Sequence, residues 1–174
     1  FPSSFSTPLG GDPLAEEGIR FTCMVELAES AGELLLNSDY PNEQPFINCR
    51  YLEAPGDRER LREGVRIIME MMGHESFNDI VEELISPVES DLATDDTLDQ
   101  WLLENVWIGQ HLSGTCKMGP DSDPMAVVDQ YGRVRGIESL RVADASIMPD
   151  VIRANTNCTT IMIGERVADW IANE

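Results

Sequence analysis

The residue in this chain best suited to acid–base chemistry is His111, within the segment QHLSGTCKMGP at residues 110–120. Imidazole exchanges a proton near neutral pH, so a histidine beside a turn of small residues can serve as a general base. Ser113, Gly114 and Thr115 provide such a turn after the intervening Leu112. A lone histidine is more often structural, so this segment on its own favours a structural role.

Two other polar positions could meet a ligand. Asp144 follows the apolar run LRVA, which predicts a strand whose end points this carboxylate beyond a sheet. Asn155 lies just before a predicted helix start near Asn157, where the helix N-terminus is open to an acceptor or an anion. Taken alone, a turn-forming aspartate explains Asp144 equally well, and helix capping explains the asparagines better than catalysis.

The elements that must position these residues fall into two regions. Residues 1–13, FPSSFSTPLGGDP, predict a loop that joins this chain to another part of a longer polypeptide. The segments IRFTCMVELAE, GELLLNS and QPFINCRYL predict antiparallel strands. Helical spacing of apolar residues predicts a first helix over 57–72 with Gly73 at its C-cap, and a second from Thr94 to Trp107 with Leu98, Trp101, Leu102 and Val106 inward.

Three further elements are predicted with local signals. Ser76 and Asp79 resemble a capping box, which predicts a helix over 76–85 that Pro87 ends. MAVVDQYGRVRGIESLRVADAS predicts short strands that turn at Gly132 and Gly136. The last helix begins near Asn157, and its predicted inward face consists of Ile163, Val167, Trp170 and Ile171.

The segments HLSGTCKMG, VADAS and NTNCTTIMIGE, in this order, resemble the carboxy-terminal region of the glucose/methanol/choline family of flavoprotein oxidoreductases, of the choline dehydrogenase-like kind. That family carries an H-x-x-G-T-x-x-M-G turn, a V-x-D-A-S segment and an N-x-x-x-T-x-x-x-x-x-E helix start. The resemblance extends back through GELLLNSDYPNEQPFINCRYL and covers roughly residues 30 to 172.

The resemblance implies a role for each candidate residue. His111 would be the proton acceptor and Asn155 the partner that orients the substrate hydroxyl, while hydride passes to flavin N5. The backbone amides of Thr156 and Asn157 would face the flavin pyrimidine edge. Asp144 would lie near the ribityl and pyrophosphate of FAD, with a backbone N–H from Ala145. The implied cofactor is FAD.

The first half of a flavin site has no counterpart in this sequence. The thirteen glycines contain no G-x-G-x-x-G turn to hold the pyrophosphate. The predicted fold class is therefore α+β, as part of a two-domain flavoprotein of this family. Residues 1–118 would contribute sheet and helices to the substrate-binding domain, and 119–174 would complete an FAD-binding α/β domain. Catalysis would need an N-terminal FAD-binding portion.

Composition excludes several partners. A formal charge of −20 repels nucleic acid and anionic membrane surfaces, and no apolar run approaches the roughly 20 residues of a membrane-spanning helix. Four cysteines without CxxC spacing indicate neither a zinc site nor a disulfide scaffold. The sequence therefore predicts a cytoplasmic protein with free thiols and no metal site.

Three functions remain open at this point. The first is the catalytic C-terminal portion of an FAD-dependent alcohol oxidoreductase, which takes a small alcohol and passes electrons to oxygen, a quinone or another carrier. The second is a hydroxynitrile lyase on the same family scaffold. The third is a non-catalytic acidic interaction domain, in which HLSGT and NTN are only a turn and a cap.

Overall fold

The computed structural model describes residues 2–4 and 18–174. They form two compact units: one holds the described residues up to Val25 with Glu29–Ala31 and Arg50–Trp107, and the other holds Glu26–Ala28, Gly32–Cys49 and Ile108–Glu174. The elements in chain order are β1 (Pro2–Ser4), β2 (Ile19–Phe21), β3 (Glu33–Leu35), β4 (Phe46–Asn48), α1 (Pro55–Met72), a 3₁₀ turn (Glu75–Phe77), α2 (Glu89–Leu92), α3 (Asp95–Asn105), a second 3₁₀ turn (Ala145–Ile147) and α4 (Asn157–Ala172).

The first unit is built on the pair α1 and α3, and both helices were predicted. Helical spacing puts Leu61 and Val65 of α1 in one core with Leu98 and Leu102 of α3, and Leu52 completes the buried set. Ion pairs join the same two helices at the surface, with Arg62 Nη1 2.6 Å from Asp99 Oδ1. Antiparallel strands β1 and β2 belong to this unit.

Asp57 ties the loop at 29–31 to the start of α1. Asp57 is 1% exposed, and its carboxylate accepts hydrogen bonds from the amides of Glu29 (2.9 Å) and Ser30 (2.8 Å). Burial alone would raise the pKa of Asp57, but these bonds, the Ser30 hydroxyl and the nearby Arg60 together lower it. The charged form is therefore the one that the fold stabilises.

The second unit holds every candidate site residue. Its core consists of Val128, Ile147, Met148, Ile163 and Val167, so α4 packs on the segment that carries the second 3₁₀ turn. Strands β3 and β4 pair antiparallel in the same unit. At the other end of α4, Glu174 forms ion pairs with Arg133 and Arg141, which lower the pKa of its carboxylate to about 2.

The helix predicted over 76–85 is wrong. Only Glu75–Phe77 is helical there, as a 3₁₀ turn whose cap is His74, with Nδ1 accepting from the Ser76 amide. Of the apolar residues predicted to hold that helix, Ile80 is 61% exposed, and none belongs to the buried core of this unit. An amphipathic pattern without a packing partner does not sustain a short helix.

The strands predicted in 125–143 are also wrong. Val128, Arg133, Val134 and Arg141 form only isolated bridges. Turns closed by Asp129 and Gly132 on one side and by Val134 and Ile137 on the other interrupt each pair before a ladder can extend. The chain still doubles back as predicted, and Gly132 (φ 74°) and Gly136 (φ 76°) both have the left-handed conformation that such turns require.

Two smaller predictions, about the first residues and about the inward face of the last helix, are wrong. Positions 2–4, predicted as loop, form β1, while the rest of that predicted loop lies outside the described residues. Ile171, predicted to face inward, is 56% exposed. The division into domains at 118 and 119 remains a prediction about a larger protein, as does the cytoplasmic location. No helix in the described ranges has the length and apolar character needed to cross a membrane.

Candidate active site

The turn that carries His111 is fixed by main-chain pairing with a distant segment. Its residues 114–118 run alongside the second 3₁₀ turn, and three amides donate to carbonyls there: Gly114 to Ala145 (3.3 Å), Cys116 to Ser146 (2.9 Å) and Met118 to Ile147 (2.8 Å). Gly114 has φ 82°, so the chain can turn sharply between the histidine and this pairing. The first two motifs of the sequence are therefore adjacent.

His111 also contacts the third motif. Its Nδ1 lies 3.1 Å from Oγ1 of Thr156, and the Thr156 amide points at the same nitrogen from 3.5 Å. Thr156 is 8% exposed, and its carbonyl accepts from the amide (2.9 Å) and the hydroxyl (2.8 Å) of Thr160. The half-buried imidazole is thus held through one edge by a fixed residue, which leaves Nε2 as its other polar atom.

Asp144 is positioned by its own turn. It is the N-cap of the second 3₁₀ turn, where one carboxylate oxygen accepts from the Ser146 amide (2.8 Å) and the Ser146 hydroxyl (2.5 Å). The residue is exposed, so the remaining acceptor capacity of the carboxylate faces solvent. Its neighbour Ala145 is engaged through its carbonyl in the pairing with Gly114.

Asn155 and Asn157 lie on either side of Thr156, and both are exposed. Within the described ranges neither side chain makes a hydrogen bond, and no side chain caps the first turn of α4. This turn therefore presents free N–H groups and two amide side chains, which can bind carbonyl or hydroxyl oxygens.

These groups fit the predicted flavin in chemical type. The uncapped turn of α4 offers N–H donors of the kind that a pyrimidine carbonyl accepts, and the free acceptor positions of Asp144 suit ribityl hydroxyls. The structure brings His111 to Thr156 and brings Ala145 to the same turn. It gives His111 no direct bond to Asn155, whose predicted orienting role needs a substrate between them.

The Thr156 hydroxyl is a functional group that the sequence did not reveal. Only a backbone role was predicted for this residue. A threonine at the start of a helix usually caps that helix, but the Thr156 side chain makes no cap and bonds to the imidazole 45 positions away. No spacing signal in the sequence announces a contact that depends on tertiary structure.

Known proteins resemble this chain along most of its length. A family model described as GMC oxidoreductase matches residues 28–164. The chain is 43% identical over 145 residues to an oxygen-dependent choline dehydrogenase from Rhizobium rhizogenes, covering 83% of this chain and 26% of that protein. It therefore spans about a quarter of the length of the curated relatives it matches.

Solved structures resemble the fold as well. Pyridoxine 4-oxidase from Mesorbium loti superposes with a TM-score of 0.74 at 25% identity, over 86% of this chain and 28% of that one. Formate oxidase from Aspergillus oryzae RIB40, in a study of a mutation's effect on FAD modification, gives 0.70 at 33% identity, over 80% of this chain and 24% of that one.

Proposed function

This chain belongs to the GMC oxidoreductase family, and on that premise we propose that it is the part of an FAD-dependent alcohol oxidoreductase that carries the proton-accepting histidine. The observation that carries the proposal is the contact between His111 and the start of α4, where Nδ1 lies 3.1 Å from Thr156 Oγ1. The second unit thus holds groups from all three motifs: the imidazole of His111, the exposed carboxylate of Asp144 and the uncapped start of α4.

FAD is the cofactor in this proposal, and the similar formate oxidase from Aspergillus oryzae, whose FAD modification was studied, supports that assignment. When bound, FAD supplies the acceptor for the electron pair and the hydrogen that leave the alcohol carbon. The residues of this chain that would hold it are Thr156 and Asn157 through their backbone amides, and Asp144 and Ala145 beside the second 3₁₀ turn. The remaining contacts belong to an N-terminal FAD-binding portion of the full-length protein.

His111 takes the proton of the substrate hydroxyl in this proposal. Its Nδ1 faces Thr156, and with the ring proton on Nδ1 the atom that receives the substrate proton is Nε2. Asn155 can donate to the substrate oxygen and accept from a neighbouring group without titrating, so it orients the hydroxyl without competing for the proton. Positioned acid–base groups of this kind contribute about 10²- to 10⁴-fold to a reaction rate.

The charge of the chain favours a cationic alcohol as substrate. A formal charge of −20 lowers the potential at the surface and raises the local concentration of cations. Choline carries one quaternary ammonium group and one hydroxyl, and it is the alcohol in the name of the Rhizobium rhizogenes relative. The same name supports oxygen among the predicted electron acceptors.

The test compares two histidine variants in the full-length protein that contains this chain. His111→Gln should lower kcat/KM for choline by about 10²-fold or more, with flavin content unchanged, because a general base is lost. His74→Gln is the matched control, since His74 only caps the first 3₁₀ turn, and it should leave kcat/KM within about twofold. Equal activity of the two variants would remove His111 from the chemistry.

A further inference from the structure

The hydrogen-bond partner of His111 decides which imidazole nitrogen can act as a base. A neutral imidazole carries one proton, on Nδ1 or on Nε2, and the other nitrogen is the acceptor. Nδ1 lies 3.1 Å from a threonine hydroxyl, which can either donate or accept. Only if that hydroxyl accepts from Nδ1–H is Nε2 left free to take a proton from a substrate.

We propose that Thr156 is a positioning residue: its hydroxyl accepts the Nδ1–H of His111 and thereby keeps Nε2 unprotonated and directed at the substrate. This inference rests on the proposed function, in which His111 is the base. It concerns the side chain of Thr156 and is independent of the backbone role predicted for the same residue.

The backbone amide of Thr156 opposes this arrangement. It can only donate, and it points at Nδ1 from 3.5 Å, so on its own it would favour the tautomer with the proton on Nε2. The hydroxyl contact is 0.4 Å shorter (3.5 minus 3.1) and its hydrogen can rotate away. A donor–acceptor distance of 3.5 Å is at the limit of hydrogen bonding, so the amide is the weaker partner, and the hydroxyl is the partner that can accept from Nδ1–H. Without the hydroxyl, the amide would select the unproductive tautomer.

Local structure holds Thr156 in place for this role. The residue is 8% exposed, and two groups of Thr160, the amide at 2.9 Å and the hydroxyl at 2.8 Å, donate to its carbonyl. Threonine is β-branched and has few side-chain rotamers, so its hydroxyl is held with little freedom. On the other side, Gln110, directly before His111, has the left-handed conformation (φ 61°).

The hydrogen bond between His111 Nδ1 and the Thr156 hydroxyl should be stronger during the reaction than before it. When the O–H bond of the substrate breaks and an N–H bond forms at Nε2, the ring becomes an imidazolium with protons on both nitrogens. A hydrogen bond from a charged donor is stronger than one from a neutral donor. The Thr156 hydroxyl therefore stabilises the charge that develops on the ring, and its loss should appear in kcat more than in KM.

Kinetics of three variants in the full-length flavoprotein provide the first test. Thr156→Val keeps the shape but removes the hydroxyl, and we expect the rate of anaerobic flavin reduction by choline to fall about tenfold or more, with KM and flavin content nearly unchanged. Thr156→Ser should restore the rate to within about threefold, because it returns the acceptor. Thr160→Val removes one of the two bonds to the Thr156 carbonyl and keeps the one from the Thr160 amide, so the rate should fall less than in Thr156→Val.

Histidine tautomers provide a test that does not depend on activity. In ¹⁵N-histidine-labelled holoenzyme, with the His111 signal assigned by its loss in His111→Gln, we expect a protonated Nδ1 and an unprotonated Nε2 in the neutral ring. In Thr156→Val the proton should shift toward Nε2. A proton on Nε2 in the unmodified enzyme, or an unchanged rate in Thr156→Val, would overturn the inference. If no alcohol reduces the flavin of the unmodified enzyme, the proposed function fails instead. The tautomer of His111 then still decides whether Thr156 is a hydrogen-bond acceptor.

Discussion

Two glycines with the same backbone conformation give a sharp test of how the second unit holds its site. Gly132 and Gly136 have φ angles of 74° and 76°. An added Cβ at Gly132 would lie 2.6 Å from the carbonyl oxygen of Val142 and 3.4 Å from Cγ2 of Val167, while at Gly136 it would meet no heavy atom within 4 Å. Alanine therefore meets the same conformational cost at both positions and a steric clash at only one.

The magnitudes follow from these distances. A left-handed conformation costs a residue with a Cβ about 1–2 kcal/mol, so Gly136→Ala should destabilise by about that amount. At Gly132 the clash is with backbone that cannot rotate away, and overpacking of this kind adds about 1–3 kcal/mol. The 142–144 segment must then move, which weakens the hydrogen bond from the Val142 amide to the Gly132 carbonyl (2.9 Å). Gly132→Ala should cost about 2–5 kcal/mol in total.

Native-state hydrogen exchange is the suitable assay, because it reports local opening without requiring two-state unfolding of a large flavoprotein. The Val142 amide should exchange about 5- to 150-fold faster in Gly132→Ala than in Gly136→Ala, since the added clash costs about 1–3 kcal/mol and about 1.4 kcal/mol corresponds to a factor of ten. Flavin affinity should fall in Gly132→Ala alone, because Val142 leads into Asp144 and Val167 belongs to α4. Equal exchange in the two variants would refute this account of the packing.

Three further outcomes follow from burial, charge and hydrogen bonding. Asp57→Asn should lower the Tm at pH 7. Because the fold lowers the pKa of Asp57, the stabilisation from its carboxylate is present above about pH 4 and is lost as pH falls through the folded-state pKa. The difference in Tm between Asp57→Asn and the unmodified protein should therefore shrink in acid, and a constant difference would contradict this. Leu98→Ala should destabilise the first unit by about 2–5 kcal/mol in urea, whereas Leu103→Ala, at a 49% exposed position, should cost less than about 1 kcal/mol, and similar losses would argue against the assigned core. Asp144→Ala should raise the Kd for FAD about tenfold or more in a flavin titration, and Ser146→Ala should raise it less because it only orients that carboxylate; the reverse order would contradict the assigned roles.

The long helices were predictable because local signals and tertiary packing agree there. In α3, Thr94 caps the first turn and Leu98 and Leu102 meet α1, as the helical spacing indicated. Gly73 ends α1, although in a right-handed conformation (φ −74°) rather than the left-handed one usual for a glycine cap. Where the apolar face of a helix finds a core, the sequence pattern is sufficient.

The failed predictions share one physical cause: the sequence pattern of a helix or strand does not reveal which other element it packs against or pairs with. The residues after Ser76 have helical spacing, but Ile80 is 61% exposed and has no core to pack on. The run LRVA has strand character, yet only Arg141 forms a bridge there. Strand formation depends on a neighbour with several consecutive free positions, and a single sequence does not reveal that neighbour.

The candidate site was predictable in its residues but not in its contacts. The order of HLSGTCKMG, VADAS and NTNCTTIMIGE led to the family, which is confirmed, while the roles of His111, Asn155 and Asp144 remain proposals. The contact between His111 and Thr156 arises only because residues 114–118 pair with the second 3₁₀ turn and α4 packs on the same core. Family membership favours the flavin oxidoreductase over the acidic interaction domain, and redox turnover separates it from the lyase.

The most direct measurement of the central claim is the visible spectrum of the full-length protein before and after anaerobic addition of choline and a panel of other small alcohols. We expect a bound flavin whose absorbance bleaches with at least one alcohol as the corresponding aldehyde forms, and a His111→Gln variant that binds flavin but bleaches about 10²-fold more slowly. A bound flavin that stays oxidised with every alcohol would favour the lyase, and a full-length protein without flavin would contradict the proposed function outright.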